Sequence, residues 1–271
     1  MDGYDAYDRP VKVAEGIFWV GFRDKHTNLF CNPYLIVEDE QAVLIDAGSR
    51  GDFAIVMMKI LQTGIDPGQI VALIYQHYDP DLCGSMGNFI DMCDNPGLRL
   101  FSEQSNKLFL SYYIHRDRYP LLSSINEHDF RFTFKDRSLR FISTPYAHSQ
   151  GSFVTYDEKT RTLFTSDLFG SFSTQWDLFI QLEEECLTCT DYDNCPNGRA
   201  SCPFPAMIEF HQSVMPCKKA LRHAIHQIKA LDADVIAPQH GSVLNRKRDI
   251  RFVADTLETL NGVGIDAIVQ E

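Results

Sequence analysis

The chain has 271 residues, 44% of them hydrophobic, a formal charge of −12 and eight cysteines. That length suits one large domain or two small ones. No apolar run approaches a bilayer span, and the acidic opening "MDGYDAYDRP" is neither a signal nor a transit peptide, so a cytoplasmic protein is expected. The one basic block, "RKR" at 246–248, reads as a solvated helix face; phosphate binding takes clustered Lys and Arg, so neither nucleic acid nor membrane is an expected partner.

The first half alternates strand and turn. "GIFWVGF" (16–22), "NPYLIVE" (32–38) and "QAVLIDAGS" (41–49) read as strands from their aromatic and β-branched content and flanking Gly, Asn and Asp. "FAIVMMKILQTG" (53–64) reads as a helix stopped by Gly64. "QIVALIYQH" (69–77) is apolar on both faces, as an interior strand is. A short helix over "SMGNFIDMC" (85–93), a strand over "RLFSE" (99–103) and strands over "DFRFTFKDRSLRFIST" (129–144) follow. "SFVTYDEKTRTLFTSD" (152–167) reads as a hairpin about its "DEKT" turn, and 171–205 as irregular. From Val214 to Leu231 the apolar positions Cys217, Leu221, Ile225, Ile228 and Leu231 fall near helical spacing. "ADVIAPQHG" (233–241) is a strand running into a loop, and 249–261 a last helix. Two strand-rich halves with helices between them, and no linker, suggest an α/β fold: a four-layer αββα sandwich forming one domain over 1–271, with a Cys-rich insertion at 171–205.

Several buried-type strands end in a polar residue that a core would reject. "LIYQ" runs into His77, "FISTPYA" into His148, "TLFTS" into Asp167, "VIAPQ" into His240, and "VLI" into Asp46. A single such residue is most often a loop side chain bonded to backbone. Together, side chains from strand ends on one sheet edge can converge, as ligand sites do. The convergent set is His77, Asp79, Asp81, His148, Asp167 and His240. Residues 77, 79 and 81 lie two apart, which in an extended loop puts them on one side. Three imidazoles and three carboxylates suit two divalent metals with one carboxylate bridging, and favour iron, manganese or zinc over copper(I).

These motifs carry a resemblance. "HYDPDLCGS" looks like the His-x-Glu-x-Asp loop of flavodiiron proteins, a branch of the metallo-β-lactamase fold, including its Pro80, Gly84 and Ser85. "TPYAHSQGSFVTY" is similar to the loop giving the next histidine, "TLFTSDLFGSF" to the bridging-aspartate segment, and "IAPQHGSV" to the last histidine loop. The four occur in order and span nearly the whole chain. The resemblance implies a sandwich of the metallo-β-lactamase type holding two irons: His77, Asp79 and His148 on one, Asp81 and His240 on the other, Asp167 bridging, with no catalytic residue beyond the ligands. Hydrolases of this fold usually carry His where Asp79 stands, so a carboxylate there turns the site toward hard, redox-active iron. Three departures stand out. Asp79 replaces the family's usual Glu, Leu82 stands where His is common, and the chain ends at Glu271, where the family continues into a flavodoxin-like domain. No FMN domain in this chain is therefore expected.

Cys186, Cys189, Cys195 and Cys202 crowd into seventeen residues, while Cys31, Cys83, Cys93 and Cys217 are scattered. Without an export signal, crowded cysteines point to a metal or redox site rather than disulfides. Four thiolates fit structural zinc or an iron–sulfur cluster; a [4Fe-4S] cluster is favoured because a diiron site that reduces anything needs electrons. His26, His115, His128, His223 and His226 read as surface groups, Tyr78 and Phe169 as pocket or core, and His211 as a residue that could face the site. The leading functional expectation is a diiron protein that binds or reduces O2 or NO, as a reductase or a sensor, with a separate electron donor or signalling partner and a possible homodimer. The alternative is a metal-dependent hydrolase of the phosphodiesterase kind, in which metals activate a bridging hydroxide; a weaker third is a metal-stabilised interaction protein.

Overall fold

The computed structural model describes residues 7–23, 31–173, 177–192, 194–195 and 202–269. They form two compact units. The first takes in the described residues of 7–23, 31–141 and 155–160. Its seven-stranded sheet runs in chain order: β1 (Val11–Ala14), β2 (Ile17–Trp19), β3 (Tyr34–Glu38), β4 (Gln41–Ile45), β5 (Ile70–Ile74), β6 (Arg99–Ser102) and β7 (Leu122–Ser124). β1 to β4 pair antiparallel, and β4 to β7 pair parallel. Parallel neighbours need crossovers. Helix α1 (Phe53–Gln62) joins β4 to β5; α2 (Pro80–Cys83) and α3 (Met86–Cys93) join β5 to β6; α4 (Lys107–Leu110) and flanking 3-10 turns join β6 to β7. The last of these connections, over 103–121, was not foreseen from sequence, nor were β1 and β7.

The apolar core of this unit collects Leu35, Leu44, Val56, Ile60, Leu73, Phe89, Leu100 and their neighbours. It also encloses charge. The Arg137 guanidinium, 1% exposed, makes two 2.8 Å bonds to the fully buried Asp157 carboxylate and donates to the Val37 and Glu15 carbonyls. Its neighbour Gly16, at φ +65°, is fixed by that approach, because a Cβ there would lie 2.6 Å from Arg137 Nη1 and 2.5 Å from the Val37 carbonyl oxygen.

A second seven-stranded sheet adds β8 (Arg131–Phe134), β9 (Arg137–Ser143), β10 (Phe153–Asp157), β11 (Thr162–Phe164), β12 (Phe179–Ile180), β13 (Val235–Ala237) and β14 (Val243–Leu244), in the order β12-β14-β13-β11-β10-β9-β8. The second compact unit comprises the described residues of 142–154 and 161–269. In it β11 pairs parallel with β13, and β13 antiparallel with β14. Its helices are α5 (Pro203–Val214), α6 (Lys218–Lys229) and α7 (Lys247–Thr259).

The expected helix from 214 to 231 is corrected here. Met215, Pro216 and Cys217 break it, because Pro216 cannot donate to a continuing helix, and α6 starts at Lys218. The preceding helix, α5, lies at the end of the stretch expected to be irregular. Among the described residues, no helix is long and apolar enough to cross a membrane.

Candidate metal centre

In the first unit, β5 ends at Ile74 and the chain passes through His77 to Asp79, the residue capping α2. This corrects the extended-loop expectation: Asp79 is extended, but Pro80 opens a single helical turn that takes in Asp81, its fixed φ suited to that position. Asp81 is the second residue of that turn. His77 is buried, and its Nε2 lies 3.9 Å from Asp79 Oδ2. Asp46, at the end of β4 with φ +51°, accepts from the Gln76 N–H at 3.3 Å. The Ala47 N–H donates to the Leu82 carbonyl, and Ser85 Oγ donates to the Ala47 and Gly48 carbonyls at 2.8 and 2.9 Å. The 46–49 and 76–85 loops are thereby stapled together. Gly84 permits this approach, since a Cβ would stand 2.7 Å from the Arg50 nitrogen. Burial first, then the Asp46 and Asp81 carboxylates, push the Cys83 thiol up; it stays protonated and donates to the His77 carbonyl at 3.6 Å. Tyr78 stacks on Phe109 at 4.3 Å and its carbonyl accepts from Tyr113 Oη.

In the second unit, His148 sits in the loop between β9 and β10. That loop is closed by the Thr144 N–H on Ser152, Tyr146 N–H on Ser149 and Ala147 N–H on Thr144 carbonyls. Asp167 and His240 each stand three residues past a strand, β11 and β13, and these two strands are parallel neighbours. Parallel pairing carries both side chains to the same end of the sheet, where the Gln239 N–H donates to the Ser166 carbonyl. Asp167 is buried and faces both histidines: Oδ2 lies 3.3 Å from His148 Nε2, and Oδ1 lies 3.5 Å from His240 Nε2.

Each oxygen of one carboxylate is thus matched to a different imidazole. Two donors each about 2.1 Å from one ion stand about 3.0 Å apart at a right angle and about 3.4 Å at the tetrahedral angle. The donor set therefore fits a carboxylate shared by two metal ions, each with its own histidine. The backbone around Asp167 is held in a sparsely populated form: Ser166 and Phe169 have φ of +53° and +66°, and the Thr165 hydroxyl and N–H groups of 168 and 170 close the turn. For a residue as bulky as Phe169 this is strain, which persists where surrounding structure over-determines it.

His211, read from sequence as a residue that could face the site, belongs to this neighbourhood. It is fully buried on α5. The Phe169 N–H donates to its Nε2 at 3.1 Å, so Nδ1 carries the proton and donates to the Met207 carbonyl at 2.7 Å. Its spacing from Phe204 and Met207, seven and four residues, marks the buried stripe and was a readable signal.

Burial pulls the His211 pKa from 6.5 down to about 4, opposed by the Met207 carbonyl and the Asp167 carboxylate. The unfolded chain then takes up a proton below about pH 6.5 that the folded chain refuses until about pH 4. This contribution to stability is complete above that window and is lost as pH falls through it, by on the order of 3 kcal/mol. His211→Gln, which gains no proton, should lose less stability than the parent between pH 7 and 4.5; equal losses in urea titrations of chelator-treated protein would contradict this.

The cysteines at 186, 189, 195 and 202 are half-buried and line one cavity together with Tyr192 and Phe204. Of the histidines read as surface groups, His115, His223 and His226 are exposed and His128 is half-buried; His26 lies outside the described residues. Phe169 is fully buried and Tyr78 half-buried.

Comparison with known proteins agrees with the fold. Over 258 residues the chain is 25% identical to a type A flavoprotein of Rhodobacter capsulatus, covering 87% of this chain and 52% of the relative. The chain spans about half the length of the curated relatives it matches. Among solved structures, the rubredoxin oxygen:oxidoreductase of Desulfovibrio gigas superposes with a TM-score of 0.76 at 20% identity, over 92% of this chain and 61% of the other. A peroxy diiron species of the chemotaxis sensor ODP superposes with a TM-score of 0.71 at 20% identity, over 93% of both chains. The two mixed sheets and their helices are those of the α/β sandwich expected from sequence. The description "ODP family beta lactamase" matches residues 29–241, and the chain belongs to that family.

Proposed function

We propose that the chain is a non-heme diiron protein that binds O2, and NO as a competing diatomic. His77, Asp79 and His148 hold one iron, Asp81 and His240 the other, and Asp167 bridges. The observation that carries this reading is Asp167, with one carboxylate oxygen turned to each of two imidazoles. Relatives named for diiron and nitric oxide chemistry support it. Iron held there would, when reduced, supply the electrons that a bound diatomic takes up. The protein's own part is to hold the ligands. His211 fixes the Phe169 backbone beside Asp167, and the Phe210 ring packs 5.6 Å from the His240 ring. Second-sphere contacts of this kind orient ligands and set metal affinity.

In this reading residues 1–271 are one cytoplasmic domain, served by a separate electron donor or signalling partner, and a homodimer is its simplest assembly. The four cysteines form a second metal site. Thiolates in a cavity suit zinc or an iron–sulfur cluster, and the electron demand of iron chemistry favours [4Fe-4S].

Anaerobic purification followed by metal and acid-labile sulfide analysis tests the whole reading. Iron at the His/Asp set, with an absorption change on exposure to O2, is the expected result. Zinc alone, with hydrolysis of generic phosphodiesters, would overturn it and favour the hydrolase.

A further inference from the structure

The four cysteines and the Asp167–His240 loops meet opposite ends of one helix. Cys202 caps the N-terminus of α5 and Pro203 occupies its first position. The buried stripe of α5 is Phe204, Met207, Phe210 and His211. At its start Phe204 stacks on Tyr192 of the cysteine loop, ring centres 5.4 Å apart, and meets Phe252 of α7 edge-on at 5.5 Å. At its end Phe210 lies 5.6 Å from the His240 ring and 4.8 Å from Phe172, while His211 accepts from Phe169. Gly170 leaves no slack there: a Cβ would stand 2.6 Å from the Phe210 ring and 2.7 Å from the Asp167 carbonyl oxygen. From Cys202 to Phe210 the helix rises roughly 12 Å at 1.5 Å per residue.

Among the described residues, the start of the cysteine loop is tied to α7. Arg248 of α7 binds the Glu184 carboxylate and the Leu182 carbonyl, and the buried Asp249 accepts from the Leu182 N–H at 2.9 Å. Beyond these anchors the loop's thiols face a common cavity.

Resting on the reading of these cysteines as a metal site, we propose that its occupancy regulates the iron site: metal bound by Cys186, Cys189, Cys195 and Cys202 fixes the start of α5, and α5 presses Phe210 and His211 against the Asp167 and His240 loops. The cysteine site is then a metal-sensitive input, because loss of its metal releases the helix.

The test is made on the chelator-treated full chain with cobalt(II), zinc and iron(II). Cobalt(II) should give a thiolate charge-transfer band that Cys186→Ser abolishes and Asp167→Ala leaves intact. Iron(II) affinity at the His/Asp set should rise about tenfold when one equivalent of zinc, which the four thiolates hold more tightly than the His/Asp donors, first fills the cysteine site, the low end of the usual effect of contacts behind metal ligands. The zinc comparison uses the parent chain, so it holds even where Cys186→Ser unfolds. No thiolate band in the parent would overturn the cysteine site. A band with unchanged iron affinity would overturn the coupling alone. A band with no iron binding at all would overturn the diiron reading and the coupling with it, leaving a separate thiolate site.

Discussion

Asp167→Ala should strip the protein of its iron while leaving it folded. If one carboxylate bridges, its loss costs each ion a ligand, and two-metal sites depend on that shared group. Iron should fall from about two per chain to near zero, with the far-ultraviolet circular dichroism unchanged. His226→Ala is the matched control: His226 is exposed on α6 and pairs with Glu258, so it should retain the parent's iron. Equal iron in Asp167→Ala and the control would defeat the bridging assignment. Loss of half the iron would mean that Asp167 serves one ion only.

A second large effect is expected far from the metal, at the enclosed pair of Arg137 and Asp157. Removing one partner of a buried ion pair leaves the other uncompensated and costs about 3–5 kcal/mol. Arg137→Met and Asp157→Asn should each lower unfolding stability by that order. Arg137→Met combined with Asp157→Leu should recover much of the loss, since two apolar groups leave no charge buried. Urea titrations of the three variants form the comparison. A double variant as unstable as the sum of the single changes would show that the pair's energy lies instead in the Arg137 bonds to the Val37 and Glu15 carbonyls.

The candidate ligands were legible because they contradict their surroundings. His77, Asp167 and His240 each stand three residues beyond a strand of buried apolar residues, where a core has no use for them. What could not be read from them was the division of Asp167 between two histidines, which depends on the parallel register of β11 and β13. Helix α5 was missed because Pro203 and Pro205 follow a run of cysteines and polar residues; yet proline in a first turn costs a helix little, since those N–H groups have no partner within it. The single turns between 104 and 128 have no period to detect, being fixed by tertiary contacts such as Tyr113 on the Tyr78 carbonyl. His211 shows the same limit: its helical spacing was visible, but its bond to Phe169 joins residues 42 apart.

The Arg137–Asp157 pair also bears on how the chain is made. The first unit lacks its last piece until residues 155–160 return to it, after an excursion through 142–154. Arg137 reaches back to Glu15 and Val37, 122 and 100 positions away, and forward to Asp157. Contacts so distant in sequence form slowly, and a ribosome adds roughly 5–20 residues per second. Residues 15–37 therefore emerge seconds before Arg137 and Asp157, which complete their contacts. The first unit therefore cannot be completed until residues 155–160 have been made.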